Sequence, residues 1–140
     1  MADVTRFAGQ VAVVTGAGSG LGAASARRLA AEGAQVLVVD IDADAAKVTA
    51  ESIGERARWT AADVAVEADV DSYVRTAVAE FGRLDLHHLN AGIVGSFAAL
   101  PELTVADFDR VLAVNLRSVF LGLRAASAST RPSAAPATSC

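Results

Sequence analysis

Val11-Ala12-Val13-Val14-Thr15, followed at once by Gly16-Ala17-Gly18-Ser19-Gly20-Leu21-Gly22, is the stretch on which the architecture turns. Its first five residues form a short, uncharged, β-branched run, the pattern of a strand buried on both faces of a parallel sheet. Glycines then crowd the point where the chain turns into a predicted helix over 21–32, which Ala, Arg and Leu favour and Gly33 closes. The turn must be sharp, the backbone must come close to any bound phosphate, and the helix must pack tightly on the strand; each need calls for glycine. Unpaired N–H groups and the positive end of the helix dipole then meet at one point, suited to a pyrophosphate. Thr15, Gly16, Ser19, Gly20, Leu21 and Gly22 are therefore candidate cofactor-binding residues. A glycine-rich loop by itself also serves as a plain turn, so its context decides.

That context follows downstream. Gln35–Asp40 (QVLVVD) reads as a second buried strand, and it ends in an acid about 20 residues past the glycines, where a carboxylate holds the adenosine ribose hydroxyls. The charge of Asp40 repels the 2′-phosphate of NADP, and neither Ser19 nor Ile41 is basic, so NAD is favoured over NADP. Asp42 or Asp44 caps the next helix, which runs to about Ile53 and stops at Gly54. A weaker strand over 57–62 holds Trp59. Val70, Tyr73, Val74, Ala77, Val78 and Phe81 recur at helical spacing up to Gly82. A fourth strand is expected over 84–90, then a glycine-containing loop through Pro101. Thr104 caps a last helix with Phe108, Val111, Leu112, Val119, Phe120 and Leu123 at helical spacing. Alternating strands and helices of this length predict an α/β fold: a Rossmann-type parallel sheet, here its first four strands, with right-handed crossovers and helices on both faces.

The 140 residues make one domain, with 53% apolar and 20% charged residues, a balance that predicts a folded globular body. A net charge of −4 with no basic run speaks against nucleic acid or an anionic membrane as partner. The uncharged stretch 7–26 is too rich in Gly, Ser and Thr for a membrane span. The N-terminus, with Asp3 and Arg6, lacks the look of a signal peptide. The single cysteine, Cys140, precludes a disulfide within the chain, and a reducing, cytoplasmic setting is expected. From 125 to 140 no large apolar side chain occurs, which predicts a domain over 1–124 and a low-complexity, disordered tail over 125–140.

The Thr-Gly-x-x-x-Gly-x-Gly spacing of residues 15–22 resembles the short-chain dehydrogenase/reductase family, and three further stretches agree with it in order and spacing. Asp63-Val64 looks like the family's adenine-contacting pair. Asn90-Ala91-Gly92 looks like its Asn-Ala-Gly motif, which steadies the sheet beside the cofactor. Asn115, within Val114-Asn115-Leu116, looks like its catalytic asparagine, which holds a water for a proton relay. Taken singly, Asp63 also suits a helix cap, Asn90 and Gly92 a turn, and Asn115 a bond to nearby backbone. The match runs over 9–124. It implies NAD as cofactor and hydride transfer between NAD and a secondary alcohol or ketone, with no metal. The last helix resembles the family's dimer-forming helix, which implies a homo-oligomer through 105–124.

Two departures bear on function. Leu84-Asp85-Leu86-His87-His88-Leu89-Asn90 carries two histidines where the family has aliphatics, and Leu89 where it has an asparagine. Neighbouring residues of a strand point to opposite faces, so His87 and His88 cannot serve one site, and a structural place in the core is expected for them. The resemblance also implies a catalytic serine and a Tyr-x-x-x-Lys pair further along. Here the only tyrosine, Tyr73, is followed four residues later by Ala77, and the only lysine is Lys47. The expectation is the cofactor-binding part of an oxidoreductase that is inactive alone, with a non-catalytic dinucleotide-binding module or dimerisation partner as the alternative.

Overall fold

The computed structural model describes residues 5–129. Four strands, β1 (Val11–Thr15), β2 (Gln35–Asp40), β3 (Ala57–Ala61) and β4 (Leu86–His88), form one sheet in the order β3-β2-β1-β4, all pairs parallel. Between them run α1 (Gly20–Ala31), α2 (Ala43–Ile53) and α3 (Glu67–Phe81). After β4 come a short 3₁₀ turn (Leu100–Glu102), α4 (Val105–Leu112), a π-helical turn (Ala113–Arg117) and α5 (Ser118–Ser129). The predicted Rossmann-type parallel sheet is therefore present. Its order reverses between β1 and β4, where open α/β sheets hold their ligands.

The strands sort their side chains by parity, as the pleat demands. Ala12 and Val14 of β1, with Val36 and Val38 of β2, pack beneath α1 and α2 through Ala26, Ala30, Ala46 and Ala50. Val13, Leu37 and Val39 face the other way, onto Val70, Tyr73, Val74 and Ala77 of α3 and Leu121 and Ala125 of α5. Alanines on α1 let that helix lie close to the sheet. Complete burial of a valine such as Val13 or Val38 contributes about 1.5–3 kcal/mol. Asp42 caps α2, accepting from Ala45 N at 3.0 Å. Thr104 and Asp107 form a reciprocal capping box on α4. At the far end of α1, Glu32 is buried and accepts hydrogen bonds from Arg6 and Arg28. The Arg6 bond above all, against the opposing effect of burial, holds its carboxyl down at about 2.

Three expectations need correction. The fourth strand is Leu86–His88 rather than 84–90, because β4 pairs with β1 only through Ala12, Val13 and Val14. Leu84 instead turns into the core, and Asp85 accepts from Val11 N at 2.9 Å. The last helix is broken in character by its π-turn. It also continues past 124 to Ser129, with Ala125 buried against α3. Lack of large apolar side chains excludes a buried strand there but not a helix, since alanines suffice where two helices lie close. The rest of the expected tail, 130–140, lies outside the described residues. Val105–Ser129 is 25 residues long and, among the described residues, the one helix apolar enough by length and composition to cross a membrane. It carries Asp107, Asp109, Arg110, Arg117 and Arg124, and its inner side belongs to the core beneath the sheet.

Candidate cofactor-binding site

Gly16 follows β1 with φ +63°, in the left-handed region where only glycine is unstrained. The loop after β4 lies so close that a Cβ on Gly16 would stand 2.9 Å from Ala91 Cα. Gly22, in the first turn of α1, is tighter still: a Cβ there would lie 2.2 Å from the Gly16 carbonyl oxygen. Asn90 fills the junction. Its Nδ2 donates to the carbonyls of Thr15 (3.0 Å) and Gly16 (3.3 Å). Thr15 Oγ1, buried, accepts from the N–H groups of Asn90 (3.1 Å) and Ala91 (3.2 Å). Thr15, Gly16, Gly22, Asn90 and Ala91 thus form one braced corner joining the two strand ends. Thr15→Val keeps the shape but strands the Ala91 amide and leaves the Asn90 amide with the His88 carbonyl alone. It is expected to lower unfolding stability by about 1–2 kcal/mol, read from the urea midpoint; an unchanged midpoint would refute the brace.

Ser19 is the N-cap of α1, yet its side chain caps nothing, and no acidic residue stands in the first turn. The helix therefore presents its leading N–H groups without an internal acceptor, a ready seat for an anion. Across from it Asp40 ends β2. Its Oδ2 accepts from Gly18 N (2.8 Å) and its Oδ1 from Asp42 N (3.0 Å). Asp63 follows β3; its Oδ1 accepts from Ala65 N (2.9 Å), and its own N–H donates to Asp69 (2.9 Å). This turn displays Asp63 and Val64, while the N-cap of α3 is Val66.

Asn115 lies in the π-turn with both ends of its side-chain amide bonded to one residue. Oδ1 accepts from Ile93 N and Nδ2 donates to Ile93 O, both at 2.8 Å. Of the two readings of this residue, the backbone bond is the one its side chain makes, and it clasps the loop after β4 to the helix. Gly92 lies against it: a Cβ there would stand 3.4 Å from Asn115 Oδ1.

These elements enclose an open cleft of about 750 Å³ along the carboxyl ends of the strands. Gly16, Ser19, Gly20, Leu21, Gly22, Asp40, Ile41, Asp63, Val64, Asn90, Ala91 and Gly92 all line it; Thr15 and Asn115 act one layer behind. The volume is that of an ordinary ligand pocket. Its wall also contains Ala62, Ala65, Ile93, Asp109, Arg110, Ala113, Val114 and Arg117, none singled out from the sequence. Arg117 donates to Ala65 O at 3.2 Å, tying the π-turn to the turn after β3.

The family model described as short chain dehydrogenase matches residues 10–134. The chain belongs to the short-chain dehydrogenase family. Levodione reductase of Leifsonia aquatica is 44% identical over 85% of this chain and 46% of its own length. Cis-4-hydroxycyclohexanecarboxylate dehydrogenase of Sinomonas cyclohexanicum is 46% identical over 82% of this chain and 47% of its own. Among solved structures, a 3-ketoacyl-(acyl-carrier-protein) reductase from Brucella melitensis complexed with NADH superimposes with a TM-score of 0.81 at 42% identity. It covers 84% of this chain and 48% of its own. The structure of levodione reductase gives 0.83 at 41%, covering 89% and 50%. This short-chain dehydrogenase chain thus spans about half the length of the curated relatives it matches.

Tyr73 of this short-chain dehydrogenase is buried in α3 with its hydroxyl 3.0 Å from His87 Nε2, and it has no place in the cleft. Burial pushes its phenol pKa up, away from any role as a proton exchanger near neutrality. Lys47 sits on the surface of α2, within 3.9 Å of Glu51. His87 is half-buried, its ring between Tyr73 of α3 and Gly122 of α5. His88 supplies the cleft corner with its carbonyl, which accepts from Asn90 N at 3.0 Å. Leu89 packs where α5 passes: a Cβ on Gly122 would come within 2.4 Å of it.

Proposed function

We propose that this chain binds NAD, in preference to NADP, and contributes the cofactor-binding part of an oxidoreductase that moves hydride between NAD and a small secondary alcohol or ketone. The observation that carries the reading is the braced, uncapped glycine corner facing an acid at the end of β2. Backbone N–H groups of residues 19–22 take the pyrophosphate, with the dipole of α1 behind them. Asp40 takes the adenosine ribose hydroxyls, and Ile41, Asp63 and Val64 flank the adenine. Asn90, Ala91 and Gly92 support the nicotinamide end. The cofactor, when bound, supplies hydride acceptance or donation. NADH bound to the Brucella reductase supports a nicotinamide dinucleotide in such a cleft.

Proton exchange with substrate needs an acid that neither buried Tyr73 nor surface Lys47 provides, so these 140 residues by themselves are expected to bind cofactor without turning substrate over. Exposed Phe108, Leu112, Leu116, Phe120 and Leu123 along the last helix support self-association through that helix, and the lone cysteine supports a reducing, cytoplasmic setting.

The test is a fluorescence titration of the purified chain with NADH and NADPH. NADH is expected to bind at least about tenfold more tightly, a difference of roughly 1.4 kcal/mol. Absence of NADH binding overturns the reading, and equal affinities overturn the preference.

A further inference from the structure

The carboxylate of Asp40 is already in use before any ligand arrives. Its two oxygens divide between two backbone donors on different segments: Gly18 N in the glycine loop at 2.8 Å and Asp42 N at the start of α2 at 3.0 Å. The loop closes down on that acid from the other side. A Cβ on Gly18 would meet Asp40 Cγ and Oδ2 at 2.9 Å and Ala45 Cβ at 2.8 Å, so residue 18 is pressed between the carboxylate and α2. Thr49 of α2 completes the grip, its buried hydroxyl donating to Gly18 O at 3.3 Å. Both backbone polar atoms of Gly18 are thereby held from the β2–α2 side, while Asn90 holds the Gly16 carbonyl from the β4 side.

We infer that Asp40 is a positioning residue for the glycine loop as well as the ribose-reading acid, so that cofactor preference cannot be reversed at this position without unlatching the phosphate seat. The inference rests on the proposed NAD site and extends it. Each carboxylate oxygen has two acceptor positions and spends one on backbone, which leaves one apiece for the ribose hydroxyls. An ionised acceptor is required for the double role. Asparagine offers one oxygen and would turn an NH₂ toward the other N–H, and arginine offers no acceptor at all. A basic residue that attracts a 2′-phosphate therefore belongs beside Asp40 rather than in its place. Ile41 is the site the geometry points to, since it lines the cleft and is 67% exposed.

The experiment is amide hydrogen exchange on the full chain without cofactor, paired with NADH and NADPH titrations. Asp40→Ala is expected to speed exchange at Gly18 by about tenfold or more, as loss of a charge-assisted hydrogen bond predicts. Affinity for both cofactors should fall. Ile41→Arg should leave Gly18 exchange unchanged and tighten NADPH relative to NADH. If Asp40→Ala does not fold, Asp40→Asn reads the same point, with one of the Gly18 and Asp42 amides losing protection. Wild-type exchange at Gly18 in Asp40→Ala, together with weakened NADH binding, would overturn the latch and leave the ribose role standing. Failure of the wild-type chain to bind NADH would overturn the site while the exchange result still decides the latch.

Discussion

Gly22→Ala is expected to destabilise the chain by about 3 kcal/mol and to abolish NADH binding at concentrations that saturate the wild type. The added Cβ meets backbone, the Gly16 carbonyl oxygen at 2.2 Å, and then Asn90 Nδ2 at 2.7 Å. Neither can rotate away, because Asn90 is itself bonded to the carbonyls of Thr15 and Gly16. The only relief is to lift the first turn of α1 off β1, which opens the corner proposed to seat the phosphates. Gly20→Ala is the control. Its Cβ would stand in open space, and the cost there is the φ of +53° alone, about 1 kcal/mol. Urea unfolding of the two variants should separate them by about 2 kcal/mol, and equal midpoints would show that close approach is not what selects glycine at 22.

Between pH 6.5 and 4 the chain is expected to lose roughly 3 kcal/mol of stability to a single side chain, His87. Burial against α3 and α5 pushes this imidazole from its ordinary 6.5 down to about 4; the Gly122 carbonyl, outside hydrogen-bond geometry, opposes the shift only in part. The unfolded chain thus binds a proton that the folded chain refuses, and stability falls as pH drops through this window and levels off below about 4. Tyr73, 3.0 Å from Nε2, offers a protonated ring a neutral phenol oxygen but no compensating charge. Glu32 acts in a separate window. Its depressed carboxyl contributes stability that is present above 4.5 and is lost as pH falls through about 2. The double variant Tyr73→Phe/His87→Leu removes both polar atoms together, which avoids stranding either one. It should melt with a flat pH dependence from 7 to about 4.5, and a persisting acid limb would exclude His87 as its origin.

The parts of this chain that could be read beforehand are those where local sequence and tertiary need coincide. Val11–Thr15 and Gln35–Asp40 are buried on both faces and look it. The glycine loop must turn and must approach Asn90, so its residues carry the site in their composition. Asp40, Asp63 and Asn90 follow from their places at strand ends, a topological rule rather than a property of the residue. What escaped the sequence depends on contacts across the fold. Arg110, Arg117 and Ile93 reach the cleft through the loop-to-helix clasp at Asn115, which no spacing announces. The shortness of β4 follows from its single neighbour, and helix through Ser129 follows from what α3 presents to Ala125. Gly18 stood in the motif, but its partner Asp40 lies 22 residues away.

The π-turn at Ala113–Arg117 has a consequence for how the outer helix can vary. A π-turn holds one residue more than an α-turn, so it advances the angular phase of everything beyond it by roughly 100°. Upstream, α4 buries none of its residues, and its Asp109 and Arg110 face the cleft. Downstream, Ser118, Leu121, Gly122 and Ala125 turn into the protein, and no residue of α5 reaches the cleft. One rod therefore behaves as two. Substitutions before 113 can remodel the wall beside the ligand without disturbing the interior, and substitutions after 117 can repack the interior without altering what the ligand meets.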